Sequence, residues 1–243
     1  MALPMYLAMT AAEISACGAL PPQLAFMACH FSPYGTGLSN FPEALPKNSM
    51  LILNDRTPVL GHDPQLIAAQ LTELAEQWQI SSVLLDFQRP EQPRTAAIAG
   101  AVLDALTCPV GITEYYAKDL YCPVFLSPPP LHQPLEVYLA PWAGRELWLE
   151  AALDSEVITV TEAGSHCAAG YPPSSQYFPF TDERLHCRYH TQVSEEQIRF
   201  TLQRTPEDLA GLLQQAQELG IARAIGLYQE LHPTHAERLP QVN

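Results

Sequence analysis

Apolar runs too short for helices and rich in β-formers recur along this chain, and between most of them the apolar positions switch to helical spacing. PMYLAM (4–9) is the first run, followed by a short helical stretch, TAAEIS. LAFMACH (24–30) is the second, and a Gly/Pro/Asn-rich loop, SPYGTGLSNFPEALPKNS, separates it from MLILN (50–54). The spacing then predicts a helix from about Asp63 to Gln79. Asp63 caps it, Pro64 occupies its first position, and Leu66, Ile67, Leu71, Leu74 and Trp78 form its buried stripe. SSVLLDFQ (81–88) is the fourth strand, RTAAIAGAVLDAL (94–106) an amphipathic helix, and PVGIT (109–113) the fifth strand, with Glu114 at its carboxyl end. A short helix leads to PVFLS (123–127); after a PPP break, LHQPLEVYLAPW gives a partial helix before ELWLEA (146–151), the seventh strand.

The rhythm then changes. VITVTEAGS, LHCRYHTQV and IRFTLQRT read as strands separated by turns, an antiparallel β-rich insertion over roughly residues 155–205. Helical spacing resumes where Thr205 caps PEDLAGLLQQAQELG, with Pro206 at the first position and Gly220 as terminator. ARAIGLY (222–228) is the eighth core strand, and the tail HPTHAERLPQVN reads as frayed.

Eight near-continuous apolar strands suit a parallel sheet buried on both faces. The simplest closed arrangement is α/β: a (β/α)₈ TIM barrel with irregular helices and the β-rich insertion before the last helix, a single domain over residues 1–243. An open doubly wound sheet is the alternative, weakened by the lack of a GxGxxG or GxxxxGK[ST] phosphate loop.

Composition narrows the partners. Apolar residues are 47% of the chain and charged residues 16%, enough for a large core. The net charge of −14, from 12 Lys plus Arg against 26 Asp plus Glu, makes nucleic acid and an anionic membrane poor partners. The N-terminal MALPMYLAMTAAEIS carries no Lys or Arg before Glu13 and does not read as a signal peptide, and no apolar window is long enough to span a bilayer. Cytoplasmic residence is the resulting expectation. Cys17, Cys29, Cys108, Cys122, Cys167 and Cys187 form no CxxC pair and are expected as reduced thiols. Cys29–His30, His166–Cys167 and His186–Cys187 are neighbours in sequence, but the spacing offers no standard zinc cluster. His186 and His190 would share a strand face more than about 12 Å apart. No metal and no cofactor are expected.

Barrel enzymes place their chemistry at the carboxyl ends of the strands. Those ends carry His30, Ser32 and Tyr34; Asn54, Asp55 and Arg56; Asp86, Gln88 and Arg89; Glu114 and Tyr115; Ser127; Glu150; and Tyr228, Gln229 and Glu230. Carboxylates so placed do acid–base work or bind ligand hydroxyls. Each has a plainer alternative as well. Strand-end Asp and Asn also cap helices or bind loop backbone, Asp55 and Arg56 could pair with each other, and Glu114 could simply open a short helix. Glu150, within LWLEAAL, can point into the barrel or away. Trp142 and Trp148 are sugar platforms or core.

Three stretches resemble glycoside hydrolase family 18, the chitinase-like barrels. Residues 50–90 are similar to that family's third strand, long helix and fourth strand, which ends in the signature DxxDxDxE. On it, SSVLLDFQ keeps the last Asp as Asp86, has Ser81 and Leu84 at the earlier two, and has Gln88 at the Glu. IRFTLQRTPEDLAGLLQQAQELGIARAIGLYQEL (198–231) resembles the closing strand–helix–strand, with Tyr228 nearest to the family's Trp, and the insertion lies where the family often carries an extra module. The resemblance implies an N-acetylated glycan as ligand, with the signature Glu as proton donor and the preceding Asp holding the N-acetyl group. A carboxamide can hydrogen-bond the glycosidic oxygen but cannot protonate it, and losing a positioned acid costs about 10²–10⁴-fold.

Three readings follow. One is a carbohydrate-active hydrolase whose acid has moved to Glu114 or Glu150, with Asp86 in support. The second is a non-catalytic glycan- or peptidoglycan-binding barrel. The third is a barrel of another class, a lyase or aldolase, but its Schiff-base lysine would have to be Lys47 or Lys118, both of which look solvent-facing. In the first two, Asp86, Gln88, Glu114 and Glu150 are the candidate reacting groups, and Tyr34, Asn54, Asp55, Arg89, Tyr115, Tyr228, Gln229 and Glu230 the candidate sugar contacts.

Overall fold

A computed structural model describes residues 3–42, 44–59, 61–89, 93–118, 120–170 and 178–231. The tail HPTHAERLPQVN lies outside the described residues.

Eight parallel strands close into a barrel. They are β1 (Met5–Met9), β2 (Leu24–Phe31), β4 (Met50–Asn54), β5 (Ser82–Asp86), β6 (Val110–Thr113), β7 (Val124–Leu126), β8 (Leu147–Ala151) and β14 (Arg223–Leu227). Each pairs with the next in chain order, and β1 pairs with both β2 and β14, which closes the ring. Alternation divides each strand between two cores. Tyr6, Ala8, Ala25, Met50, Ile52, Leu84, Phe125, Trp148 and Ile225 fill the interior. Leu51, Leu53, Val83, Leu85, Leu149 and Ala224 face outward to the helices. This double burial is why the strands read as unbroken apolar runs.

The helices are unequal. α2 (Pro64–Trp78), α3 (Pro93–Ala105) and α6 (Pro206–Glu218) are full length, whereas α1 (Ala11–Ala16), α4 (Glu114–Ala117), α5 (Leu135–Leu139) and α7 (Tyr228–Leu231) are one or two turns. The caps agree with the sequence. Asp63 accepts from the amides of Gln65 and Leu66, and Thr205 forms a reciprocal box with Asp208. The stripe of α2 holds but for Leu66: Ile67, Leu71 and Trp78 are buried and Leu74 packs against the core, while Ala68 is buried and Leu66 is 42% exposed, because it lies a full residue step around the helix from Ile67. Among the described residues between β2 and β4 there is no helix; the two-residue strand β3 (Leu38–Ser39) pairs back on β2.

The insertion is a five-stranded antiparallel sheet rather than three strands. VITVTEAGS divides at Gly164, whose φ of +134° favours glycine, into β9 (Ser155–Thr161) and β10 (Gly164–Ala169). β11 (Phe180–Asp182), β12 (Cys187–Val193) and β13 (Gln197–Gln203) complete the order β10-β9-β13-β12-β11. A small cluster of Leu131, Cys187 and Leu202 packs it on the loop after β7. Among the described residues, no helix is long and apolar enough to cross a membrane.

The amino-terminal end of the barrel is plugged. Arg223 lies over the rings of Trp148, at 4.7 Å, and Tyr6, at 5.7 Å, and donates to Ser82 Oγ at 2.6 Å. Gly111 makes room for Trp148, since a Cβ there would meet the indole at 2.5 Å. Trp148, fully buried, is therefore core, and Trp142 packs half-buried against the outer core. The opposite end of the barrel is open.

Candidate active site at the barrel mouth

β5 stops at Asp86, two residues short of the apolar run that predicts it. The backbone N–H groups of Gln88 and Arg89 turn instead to the two carboxylate oxygens of Asp55, each at 3.0 Å. Asp55 is itself buried, so it acts as a clamp that ties the chain after β5 to the end of β4. The clamp presents Asp86 and Gln88 side by side, and the Gln88 amide donates to Asp86 Oδ1 at 2.6 Å.

Both line a cavity of about 130 Å³ walled by Ala8, Met27, Ile52, Leu84, Phe125 and Ile225, with Asn54, Arg56 and Glu150 as its other polar groups. An adjoining cavity of about 570 Å³ shares Met27, Asn54 and Arg56 and runs past His30, Asn40 and Thr10. Together they form a groove leading from β5 and β8 toward β1 and β2. Asn54 is fixed for this position. Its amide donates to the carbonyls of Met27 (3.2 Å) and Cys29 (3.0 Å), and its carbonyl accepts from Arg56 N.

Glu150 points into the cavity. Burial, then the charges of Asp86, Asp154 and Glu230, push its pKa up to about 7. Asp86 also lies above the usual carboxylate range, raised by burial and by Asp55 and pulled back by the Gln88 amide. The mouth thus carries one carboxyl that keeps a proton near neutrality and a second beside it biased the same way, the kind of perturbation that marks functional sites.

The other candidates are distributed unevenly. Glu114 is the first residue of α4, accepts from Ser127 Oγ at 3.3 Å and is not part of the cavity wall. The hydroxyl of Tyr138 lies within reach of the charges of both Glu114 and Glu150, and its pKa is raised by burial and by them. Tyr115 is half exposed beside Glu114. Arg89 is exposed and donates to the carbonyl of Arg56. Tyr34 is 99% exposed on the loop after β2. Tyr228, Gln229 and Glu230 line neither cavity, the chain coiling into α7 directly after β14. Tyr228 meets Cys17 at 3.4 Å, Gln229 bonds Glu13, and Glu230 accepts from Leu153 N. His30 was marked by its place at a strand end and does line the groove, whereas Phe125, Met27 and Asn40 were not singled out by sequence patterning; Phe125 sits inside an apolar run with nothing to distinguish it from core.

No protein-family model matches this chain, and no curated protein matches it in sequence. Solved structures do match in fold. A glycoside hydrolase family 18 N-acetylglucosaminidase from Paenibacillus barengoltzii superposes with a TM-score of 0.62 at 11% identity, covering 98% of this chain and 97% of that one. The spore cortex-lytic enzyme SleL of Bacillus cereus gives 0.59 at 11% identity, over 98% and 73%. A variant of a family 18 chitinase from Cycas revoluta, in complex with (GlcNAc)4, gives 0.58 at 12% identity, over 93% and 94%. This chain shares the closed eight-stranded barrel fold of those structures; at such identities the likeness is one of fold alone.

Proposed function

We propose that this barrel binds an N-acetylated glycan at its mouth, with Asp86 and Gln88 both touching the sugar and a carboxamide where family 18 barrels keep their acid. The observation that carries this reading is the Asp86–Gln88 pair. Two polar side chains two residues apart on one strand end face the same cavity, joined by a 2.6 Å hydrogen bond. Asp86 can accept an acetamido N–H, and the remaining Gln88 hydrogen and carbonyl can meet a glycosidic or ring oxygen. Met27, Phe125 and Ile225 supply the apolar wall that a sugar face or an acetyl methyl packs on.

A second reading is hydrolysis with a relocated acid. Glu150 favours it, because a carboxyl with a pKa of about 7 in the same cavity as Asp86 can donate a proton at neutral pH. Glu114 is a weaker candidate, being outside the cavity wall. Lyase or aldolase chemistry through a Schiff base finds no support, since Lys47 and Lys118 are both exposed and line neither cavity.

The test pairs a binding screen, (GlcNAc)4 and peptidoglycan fragments against cellotetraose, with hydrolysis assays on wild type, Gln88→Glu and Glu150→Gln. Binding of the acetylated oligomers without turnover is the expected result. Turnover by wild type that Glu150→Gln abolishes would replace the first reading with the second. Failure to bind any acetylated glycan would sink both.

A further inference from the structure

Away from the cavity walls, three side chains from three segments converge. His132 lies on the loop between β7 and α5, Glu156 is the second residue of β9, and Cys167 is in β10. His132 Nδ1 is 2.7 Å from Glu156 Oε2, and Cys167 Sγ is 3.8 Å from that nitrogen and 3.6 Å from that oxygen. Glu156 stands opposite Ala169 and Cys167 opposite Ile158, so the acid and the thiol are diagonal neighbours on one face of the hairpin. The other oxygen of Glu156 accepts from Leu131 N at 3.1 Å, which orients the carboxylate.

The donor set is one imidazole nitrogen, one sulfur and one carboxylate oxygen. It suits a borderline cation such as Zn²⁺ and not Mg²⁺ or Ca²⁺, which take oxygen ligands. Zn–N and Zn–O bonds of about 2.0–2.1 Å and a Zn–S bond of about 2.3 Å give tetrahedral edges of roughly 3.3–3.6 Å. The two edges to sulfur already approach that size, and the third is a hydrogen-bond distance that opens once the shared proton leaves. Buried Arg204 also acts on Glu156, but its charge is shared with Asp154 and Asp208.

We propose that His132, Glu156 and Cys167 form a three-ligand site for Zn²⁺, water completing the coordination, which staples the loop after β7 to the β9–β10 hairpin. Exposure of His132 and Cys167 leaves the fourth position open to solvent. The hairpin has reason to be held, since β10 is the edge of its sheet and exposed along its whole length. Leu131 beside His132 is already part of the contact between loop and insertion, so the ion would lock a junction the fold has formed.

The site is tested on the full chain, stripped of metal, by titration with Zn²⁺ against a chromogenic chelator and with Co²⁺ followed by absorption. The expected result is one tight equivalent per chain and a thiolate-to-Co²⁺ band that disappears in Cys167→Ser. His132→Ala should weaken Zn²⁺ by more than the roughly 10–100-fold typical of losing an outer-shell partner. Cys17→Ser, remote from the site, should leave both readouts unchanged. Cys167→Ser is a near-isosteric change at an exposed position, and a thermal melt confirms that it folds. Zn²⁺ binding no tighter in wild type than in the His132→Ala/Cys167→Ser double variant, or a cobalt–thiolate band that survives Cys167→Ser, overturns the proposal.

Discussion

The side-chain amide of Gln88 donates to the carboxylate of Asp86 across 2.6 Å. An acid at position 88 would meet Asp86 as a like charge, and the two carboxyls would have to share a proton. The carboxamide removes that conflict and leaves a polar pair suited to holding a ligand. Restoring the acid should therefore change chemistry more than affinity. Gln88→Glu is expected to raise hydrolysis of (GlcNAc)4 by at least about 10²-fold over wild type, the usual worth of a positioned acid, in an end-point assay of released reducing sugar.

Glu150 makes stability depend on pH. Its folded pKa of about 7 lies above the ordinary carboxyl value, so the folded state holds a proton that the unfolded state releases. The associated stability is complete below the unfolded pKa, near pH 4.5, and is lost as pH rises through 7. Glu150→Gln removes this dependence. The variant should be more stable than wild type by on the order of 2–3 kcal/mol at pH 8, with the advantage vanishing by pH 4, in urea unfolding at the two pH values.

The Asp55 clamp predicts a defect in both folding and site. Asp55→Ala leaves the N–H groups of Gln88 and Arg89 without their acceptor. A loss of about 2–4 kcal/mol is expected from two part-buried bonds to a charged group. Amide exchange at residues 87–89 should accelerate beyond the global change.

Eight strands, three long helices and the insertion were legible because burial on both faces leaves runs of apolar residues, and because Asp63, Thr205 and Gly220 mark helix ends. Asp86 and Gln88 were legible as a strand end. What stayed hidden depends on direction rather than type. LWLEAAL is apolar on both sides of Glu150, so no periodicity tells which way the acid points. Tyr228, Gln229 and Glu230 follow a strand end but enter α7 and line neither cavity, which four residues of sequence do not announce. His132, Glu156 and Cys167 are brought together only by hairpin register and a loop, so their separations of 24 and 11 residues match no ligand motif.

The barrel interior offers a paired control. Gly111→Ala puts a methyl 2.5 Å from the Trp148 ring and should destabilise by about 3 kcal/mol, the upper end of overpacking. Gly100→Ala, in the middle of α3 with nothing within 4 Å, should stabilise by about 0.4–1 kcal/mol. Thermal or urea unfolding of both variants checks the packing of the core on which the mouth is built.

The most direct measurement is saturation-transfer difference NMR of (GlcNAc)4 with wild type and Asp86→Ala. The expected spectrum shows the acetamido methyl of the sugar receiving the strongest saturation from wild type and losing it with Asp86→Ala. Absence of transfer to the oligomer in wild type, or an identical pattern from Asp86→Ala, would contradict a glycan site at Asp86 and Gln88.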